Sequence, residues 1–462
     1  MIDAAPARVA VVGGGWAGCA AAVTLAAAGI PVTLIEQART LGGRARRVAV
    51  DGMELDNGQH LLLGAYRQTL ALLAAVHRPD EVGRLFRRLP LTLRAFGPRS
   101  PGGFEFAAWN VPAPLHVAAG LLSARGLSWS ERFALIAGFR NLAGADFHHA
   151  ADDSVARCFA ATPRRAFAAV WEPLCLAALN TPPERASARV FARVMRSALA
   201  GSMRDSDLLV PDVDLSACFP DAAARFITAH GGSVRPGIAV RAIDQADQGV
   251  TLRTGVDVET YAAAIVAVGP HQLKGAVGDA AAADSAWQEP LARVDAFNYE
   301  SITTIYLGFR GPVPFSAPML RLDDAPGQWA FDRSRALPED APHGASSLVA
   351  VVISANGPHD GVDHAALARN VESQLRRLAP GLPEIAFCRV IAERRATYAC
   401  TPGLARPAGG RVAPGVYLAG DYTDPEFPAT LEAATRSGVA AARALIADFA
   451  AGAAARGSIR AP

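Results

Sequence analysis

A glycine-rich turn between two short apolar strands constrains this chain more than any other feature of its sequence. The pattern of residues 8–36 predicts a buried strand, the turn, an alanine-rich helix and a second strand that ends at Glu36. Gly13 permits the tight turn, Gly15 lets the backbone approach a pyrophosphate at the helix N-terminus, and Gly18 allows the helix to pack closely on the strand. Glu36 lies where a carboxylate accepts hydrogen bonds from a ribose. The pattern therefore predicts a βαβ unit that binds a dinucleotide.

A second glycine pair follows this acidic residue. Gly42 and Gly43 permit another close approach of backbone to a cofactor, because neither carries a side chain. Arg44 comes next, and its guanidinium can reach the cofactor phosphates. We therefore expect all three residues to contact the dinucleotide.

A third element lies near the other end of the chain. Residues 415–421 predict a strand that delivers Gly420 and Asp421 at its carboxyl edge. The helix start that follows contains Leu431, which we expect at the cofactor. Three cooperating elements at opposite ends of the chain favour FAD over NAD as the cofactor.

Composition excludes several other classes of protein. The chain has 462 residues, of which 51% are hydrophobic and 19% charged, so it can bury a large core. The formal net charge is only +2, which gives no support for nucleic-acid binding. Six scattered cysteines show no metal-ligand spacing and are typical of reduced thiols in a cytoplasmic protein. The N-terminus lacks the pattern of a signal peptide, and no apolar run is long enough to span a bilayer.

These motifs resemble those of the flavin amine oxidase and phytoene desaturase superfamily. The resemblance implies an α/β fold, in which a discontinuous Rossmann-like FAD-binding domain is joined to an α+β substrate-binding domain. Its middle piece is visible in residues 231–269, which end in the apolar run Ala-Ile-Val-Ala-Val-Gly. In the superfamily a strand equivalent to the one through Val240 lies beside the adenine. We therefore expect Val240 to contact the cofactor.

One branch of this superfamily, the hydroxysqualene dehydroxylases, is more closely similar. The resemblance is carried by residues 55–66, which include Asp-Asn-Gly-Gln-His, by 179–190 and by 206–223. These segments extend through cofactor and substrate regions alike. The resemblance implies a C30 isoprenoid substrate and reduction of hydroxysqualene to squalene by hydride from reduced FAD, as in squalene and hopanoid biosynthesis.

The same resemblance implies two candidate catalytic residues. In the superfamily the segment after the second glycine motif passes the isoalloxazine ring, and residues 56–60 occupy that place here. Loss of hydroxide from an allylic alcohol requires a proton donor, so His60 and Asp56 are the candidates for that role. The alternative is that Asp56 accepts backbone N–H groups, that Gly58 permits close approach to the ring, and that His60 is an ordinary core histidine.

The rest of the chain is predicted to build the substrate domain. Residues 113–145 contain two apolar stretches around a polar turn, at Leu121, Leu122 and Ile136 among others. They predict either the core of a cap or a hairpin that contacts the inner membrane face peripherally. The expected segments are 1–75, 206–289 and 396–450 for FAD binding, 76–205 for a helical cap, 290–395 for a substrate-domain sheet, and 451–462 for a tail.

Three alternative functions remain open from the sequence, and no electron donor is identified. A carotenoid desaturase differs mainly in the direction of electron flow. A flavin amine oxidase is disfavoured because Lys274, the only lysine, lies away from the expected flavin region. A flavin-less lipid carrier of the same fold is disfavoured by the intact glycine motifs and by Glu36 and Asp421.

Overall fold

The computed structural model describes residues 8–94, 103–144, 152–246, 249–255, 257–338 and 341–458, with side chains described as far as residue 452. Its strands, numbered in chain order, are β1 (Val9–Val12), β2 (Val32–Glu36), β3 (Arg47–Val50), β4 (Met53–Asp56), β5 (Leu62–Leu63), β6 (Phe86–Leu89), β7 (Thr92–Arg94), β8 (Glu105–Ala107), β9 (Leu208–Pro211), β10 (Ser233–Pro236), β11 (Ala242–Ala246), β12 (Gly249–Arg253), β13 (Val258–Tyr261), β14 (Ala263–Val266), β15 (Tyr299–Phe309), β16 (Met319–Arg321), β17 (Trp329–Asp332), β18 (Ser347–Ser354), β19 (Ile385–Tyr398), β20 (Gly410–Ala413) and β21 (Val416–Leu418).

Helices connect and cover these strands. In chain order they are α1 (Trp16–Ala27), α2 (Arg67–Val76), α3 (Pro79–Leu85), α4 (Leu115–Ser123), α5 (Trp129–Gly144), α6 (Val155–Cys158), α7 (Arg164–Ala166), α8 (Glu172–Leu179), α9 (Ala188–Leu199), α10 (Leu215–Cys218), α11 (Pro220–Ala229), α12 (Leu273–Ala282), α13 (Ser285–Asp295), α14 (His364–Leu378) and α15 (Leu431–Ser458).

One six-stranded sheet gathers three distant parts of the chain. Its order is β10-β2-β1-β14-β21-β20, and all neighbours are parallel except β20 at one edge. The strand residues Val9–Val12 are all buried, as expected of a parallel strand covered on both faces. Helices α1, α11 and α15 share a hydrophobic core on one face. The predicted α/β class and the discontinuous sheet are thus confirmed.

The close contact between α1 and α15 depends on a glycine. A Cβ on Gly438 would overlap the carbonyl oxygen of Ala17, so only glycine lets the two helices approach this closely. The opposite face of the sheet is covered by the antiparallel sheet β11-β12-β13 and by α12 and α13. Both faces of the sheet are therefore buried, which leaves the ends of its strands as the place where a ligand can bind.

A second, five-stranded sheet forms the base of the other half. Its order is β16-β17-β18-β15-β19. Alternate side chains point to opposite faces: Ile305 and Val351 pack on α14, whereas Tyr306 and Val352 belong to the core shared with the cap helices α4 to α9. The cap and this sheet are therefore two layers around one core.

One expected strand is absent from its predicted position. Val240 lies in the connection between β10 and β11 and not in a strand, which corrects the expectation from the resemblance. The flanking segment 237–241 makes its own hydrogen bonds, because Gly237 N donates to Ala38 O and Ile238 N donates to Glu36 O. These bonds attach the connection to the end of β2 and place Val240 there.

The first prediction concerns the close packing at Gly18. A Cβ at this position would overlap the carbonyl oxygen of Gly13. We expect Gly18→Ala to lower the free energy of unfolding by about 1–3 kcal/mol, as other overpacking substitutions do, and to reduce the flavin that copurifies. Thermal unfolding and the flavin absorbance of the purified protein measure the two effects.

Gly83→Ala is the matched control for this substitution. Gly83 lies in α3, and a Cβ there would meet nothing within 4 Å. The control should be neutral or slightly stabilising, because alanine favours a helix more than glycine does. Equal melting temperatures for Gly18→Ala and the wild type would contradict the packing argument.

Candidate functional site

A single large cavity of about 990 Å³ extends from the edge of the six-stranded sheet to the space beneath the cap. Most of the predicted site residues line it: Gly13, Gly15, Glu36, Gly42, Gly43, Arg44, Gly58, His60, Val240, Gly420, Asp421 and Leu431. Gly18 lies behind the turn, in agreement with its predicted packing role. The parallel strands β1, β2 and β21 end at the same edge of the six-stranded sheet, so Gly13, Glu36 and Gly420 meet there although they are up to 407 residues apart.

Two glycine turns meet at one end of this cavity. A Cβ on Gly43 would lie 3.1 Å from the Cα of Gly15, so the two backbones are almost in contact. Gly42 N donates to Gly14 O at 2.8 Å and fixes the two turns together. Gly13 has a φ of +104°, and a Cβ on it would lie 2.6 Å from Ala267 O. The result is a cradle of bare backbone at the N-terminus of α1, where phosphates are bound favourably.

The Glu36 carboxylate lies beside this cradle. Its Oε2 accepts a hydrogen bond from Gly14 N at 2.6 Å and its Oε1 accepts one from Ala38 N at 2.7 Å. The residue is 8% exposed and lines the cavity. Each carboxylate oxygen has a further lone pair, so the group is held in place and can still accept from a ligand hydroxyl.

Arg44 and Asp421 form an ion pair on the cavity wall. Arg44 Nη2 lies 2.6 Å from Asp421 Oδ2, and its Nη1 donates to Ala396 O at 2.9 Å. The two residues, expected separately at the cofactor, therefore act on each other. The guanidinium is anchored to the C-terminal segment, so its contact with phosphates stays a prediction.

The turn at Gly420 explains why glycine is needed there. Its φ is +156°, and a Cβ on it would overlap the ring of Tyr422. Gly420 N donates to Ser437 Oγ at 2.9 Å, which fixes the turn against α15. Leu431 is the first residue of α15, so the positive end of that helix dipole lies at the cavity.

The residues at this end of the cavity fit a flavin dinucleotide. A side chain on Gly43 would crowd the cradle, and the acidic group of Glu36 lies beside it. In addition, Gln59 lines the cavity, and its buried Oε1 accepts no hydrogen bond within the part of the chain that the structure describes. An unsatisfied acceptor of this kind suits a ligand that donates an N–H or O–H group.

His60 lies on the cavity wall with its ring oriented by the backbone. Its Nδ1 lies 2.8 Å from Gly58 O, so Nδ1 carries a proton and Nε2 does not in the neutral ring. Burial lowers the pKa of His60, and the hydrogen bond to Gly58 opposes this effect only in part. The histidine is therefore largely neutral near pH 7.

Asp56 lies outside the cavity lining, which corrects the expectation that it assists the chemistry at the flavin. It is 5% exposed and is not among the residues that line the cavity. One carboxylate oxygen lies 3.1 Å from Arg333 Nη2, and the other accepts from Leu215 N at 2.7 Å. Burial raises the pKa of Asp56 to about 6, against the opposing charge of Arg333. Its carboxylate is therefore part of a buried ion pair that joins β4 to α10 and to the end of β17.

The other half of the cavity is apolar, and the sequence motifs did not identify its individual residues. Helical spacing in the cap and period-two alternation in the five-stranded sheet were the available signals, but they predict a buried face and not a cavity. The lining residues of this half come from β8, α4, α5, α8, α9 and β17 and include Phe106, Leu121, Phe139, Leu174, Met195, Trp329 and Phe331.

The sequence motifs also did not predict a polar contact between Asn57 and Glu393 on the cavity wall. Asn57 Nδ2 donates to Glu393 Oε2 at 3.2 Å and to Arg44 O at 3.1 Å, and both side chains line the cavity. Glu393 lies on β19, 336 residues away along the chain, within no motif.

The only lysine, Lys274, is exposed on α12 and does not line the cavity.

One cavity therefore joins the glycine cradle at the N-terminus of α1 to an apolar chamber. The sequence profile of the family described as "Flavin containing amine oxidoreductase" matches residues 16–446. The chain belongs to this family, and it is an enzyme of the flavin oxidoreductase class.

Relatives of similar length agree with this assignment. The chain is 28% identical to a hydroxysqualene dehydroxylase of Rhodopseudomonas palustris over 457 residues, which cover 95% of this chain and 98% of the relative. It is 24% identical to a protein of Synechococcus elongatus named probable zeta-carotene desaturase, with 95% and 98% covered. The predicted resemblance to the superfamily and to its dehydroxylase branch is thus confirmed.

Solved structures share the fold. An oxidoreductase from Methanosarcina mazei superimposes with a TM-score of 0.71 at 17% identity, covering 94% of this chain and 99% of the other. Putrescine oxidase bound to putrescine superimposes with a TM-score of 0.68 at 17% identity, covering 96% of this chain and 99% of the other.

Within the described residues, no helix combines the length and the apolar character needed to cross a membrane.

The second prediction tests the role of Asp56. Asp56→Ala leaves Arg333, which is 3% exposed, as a buried charge without its carboxylate, and we expect a loss of about 3–5 kcal/mol in the free energy of unfolding. Asp56→Ala combined with Arg333→Met should be less destabilised than Asp56→Ala alone, because both buried charges are then removed. Denaturant unfolding measures both. If Asp56→Asn kept wild-type stability and lost turnover, the result would contradict a purely structural role and support a catalytic role of Asp56.

Proposed function

We propose that the protein is an FAD-dependent oxidoreductase that reduces hydroxysqualene to squalene. The observation that carries this proposal is the continuity of one cavity from the glycine cradle to the apolar chamber, with His60 on its wall. The full-length similarity to hydroxysqualene dehydroxylases supports the same substrate. Squalene and hopanoid biosynthesis is the corresponding metabolic setting.

FAD is favoured over a mononucleotide because the cofactor part of the cavity has two separate sets of binding groups. The cradle and Glu36 suit a pyrophosphate and an adenosine ribose, and Val240 supplies an apolar wall beside Glu36. The Gly420 turn and the N-terminus of α15 suit the polar part of a flavin ring. A mononucleotide would leave one of the two sets without a partner.

A C30 isoprenoid suits the other half of the cavity. Transfer of hydrocarbon from water is favourable by about 0.8 kcal/mol for each buried CH₂ group. The aromatic and aliphatic lining residues supplied by the cap and by β17 offer such surface, including Phe139, Met195 and Trp329. The apolar chamber therefore provides binding energy without hydrogen bonds.

The proposed reaction replaces a hydroxyl by hydrogen at an allylic carbon. The C–O bond breaks, the oxygen takes up a proton and leaves as water, and a C–H bond forms at the same carbon. Reduced flavin supplies the hydride when bound. His60 in its protonated form is the proposed proton donor, and the apolar lining excludes water that would trap the allylic cation.

The third prediction concerns Glu36. Glu36→Ala should weaken FAD binding by roughly tenfold to 150-fold, because a charge-assisted hydrogen bond to a ribose contributes ~1.5–3 kcal/mol. Fluorescence titration of the apoprotein measures the affinity. Glu36→Gln is the matched control, since it keeps an oxygen acceptor for Gly14 N and should lose less. Unchanged affinity in Glu36→Ala would exclude the ribose contact.

The fourth prediction concerns His60 and is tested by anaerobic single turnover. Photoreduced enzyme is mixed with hydroxysqualene, and flavin reoxidation and the mass of the product are followed. His60→Gln should reoxidise about 10²–10⁴-fold more slowly with hydroxysqualene, the usual range for loss of an acid catalyst. Reoxidation by an artificial electron acceptor should be unchanged, since it needs no proton donor at the substrate.

The pH dependence follows from the lowered pKa of His60. The donor is active when protonated, so the wild-type rate should fall as pH rises through a value below the ordinary histidine pKa. The His60→Gln rate should lack this dependence. Wild-type rates in His60→Gln would exclude His60 as the donor, and failure to form squalene in the wild type would contradict the proposed function.

A carotenoid desaturase is the second candidate. It is favoured by the similarity over 95% of the chain to the Synechococcus protein. A desaturase passes electrons from substrate to flavin, so oxidised enzyme would be bleached by a carotenoid precursor. Reoxidation of the reduced enzyme by hydroxysqualene supports the dehydroxylase instead.

A further inference from the structure

Exposed apolar side chains are concentrated in one helical hairpin. Within the described residues six large hydrophobic side chains are exposed, and five of them lie between residues 109 and 133. We call these five the apolar patch: Trp109 (52% exposed), Leu115 (63%), Leu122 (41%), Trp129 (62%) and Phe133 (58%).

The patch has residues on both α4 and α5, and Trp109 precedes α4. Leu115 and Leu122 are seven residues apart and share a face of α4, and Trp129 and Phe133 are four apart on α5. The Trp129 and Phe133 rings stack with centroids 6.2 Å apart. Trp109 Nε1 donates to Ser123 Oγ at 2.8 Å, which holds its ring beside the end of α4.

Arginines outnumber acidic residues around the patch. The charged residues between 109 and 144 are Arg125, Glu131, Arg132 and Arg140. Glu131 is 8% exposed and accepts from Ser128 N and Ser128 Oγ, so it offers little negative charge at the surface. The Arg125 side chain is 82% exposed and lies 3.7 Å from Glu105, whose side chain is 38% exposed. A chain with a net charge of only +2 thus places a local excess of arginine beside its apolar surface.

The same two helices form part of the cavity wall. Val117 and Leu121 of α4 and Phe139 of α5 line the apolar chamber. Leu121 is 2% exposed and Ile136 is partly buried against the core, so these two residues belong to the cap core. The hairpin therefore has one apolar face toward the chamber and a second apolar face toward solvent.

We propose that the apolar patch docks on the surface of an anionic lipid bilayer. Exposed tryptophan, phenylalanine and leucine side chains flanked by arginines suit the boundary between acyl chains and anionic headgroups. Because α4 and α5 carry the patch and also line the chamber, docking would bring a water-insoluble substrate in the bilayer close to the chamber. This inference rests on the proposed function for the identity of the substrate, and the docking itself is measurable without turnover.

Flotation of the holoenzyme with vesicles tests the proposal. Vesicles of phosphatidylcholine with phosphatidylglycerol are compared with vesicles of phosphatidylcholine alone. The triple variant Leu115→Ser, Trp129→Ser and Phe133→Ser should lose at least about tenfold in partitioning to the anionic vesicles, because three apolar side chains no longer leave water. Val258→Ser is the matched control: Val258 is 66% exposed on β13, outside the patch, and its loss should change nothing.

Turnover separates docking from catalysis. Hydroxysqualene dispersed in detergent should be reduced equally by the wild type and the triple variant, whereas the variant should be slower with hydroxysqualene in vesicles. Equal flotation of the wild type and the triple variant would overturn the proposal. Sedimentation showing a dimer that dissociates in the triple variant would assign the patch to a second copy of the chain and would also overturn it. Flotation without any turnover would contradict the proposed function and leave docking supported.

Discussion

The near contact of two glycine turns is the constraint on which the site depends. A Cβ on Gly43 would lie only 3.1 Å from the Cα of Gly15, and Gly42 N holds the two turns together by donating to Gly14 O. This requires β1, α1 and β2 to be packed tightly, which Gly18 permits. The C-terminal segment then joins the same sheet and places Asp421 against Arg44. The cofactor end of the cavity is therefore set by backbone geometry more than by side chains.

The sequence could predict those parts of the structure that are determined locally. The βαβ unit follows from neighbouring residues, and the contribution of the C-terminal segment follows from a resemblance between motifs. The connection through Val240 was predicted wrongly as a strand, because its hydrogen bonds go to Ala38 and Glu36 in a distant part of the chain. The apolar chamber could not be predicted either, since a buried face and a cavity-lining face have the same periodicity.

The segment from Asp56 to His60 shows how one motif serves two purposes. Asp56 ends β4 and pairs with Arg333, which is 277 residues away, so its partner could not be identified from the motif. His60 lies only four residues later and lines the cavity. A buried carboxylate with a fixed partner holds the segment in place, and the residues after it are presented to the ligand. The hairpin of α4 and α5 is similarly divided between the chamber and the solvent.

Titration of the oxidised holoenzyme with squalene, followed by the visible absorbance of the flavin, shows whether flavin and lipid occupy one continuous cavity. A saturable shift of the flavin bands at one squalene per protein is expected, because the lipid displaces water beside the ring. Retention of squalene by the protein with an unchanged flavin spectrum would show that the lipid binds elsewhere and would contradict a shared cavity.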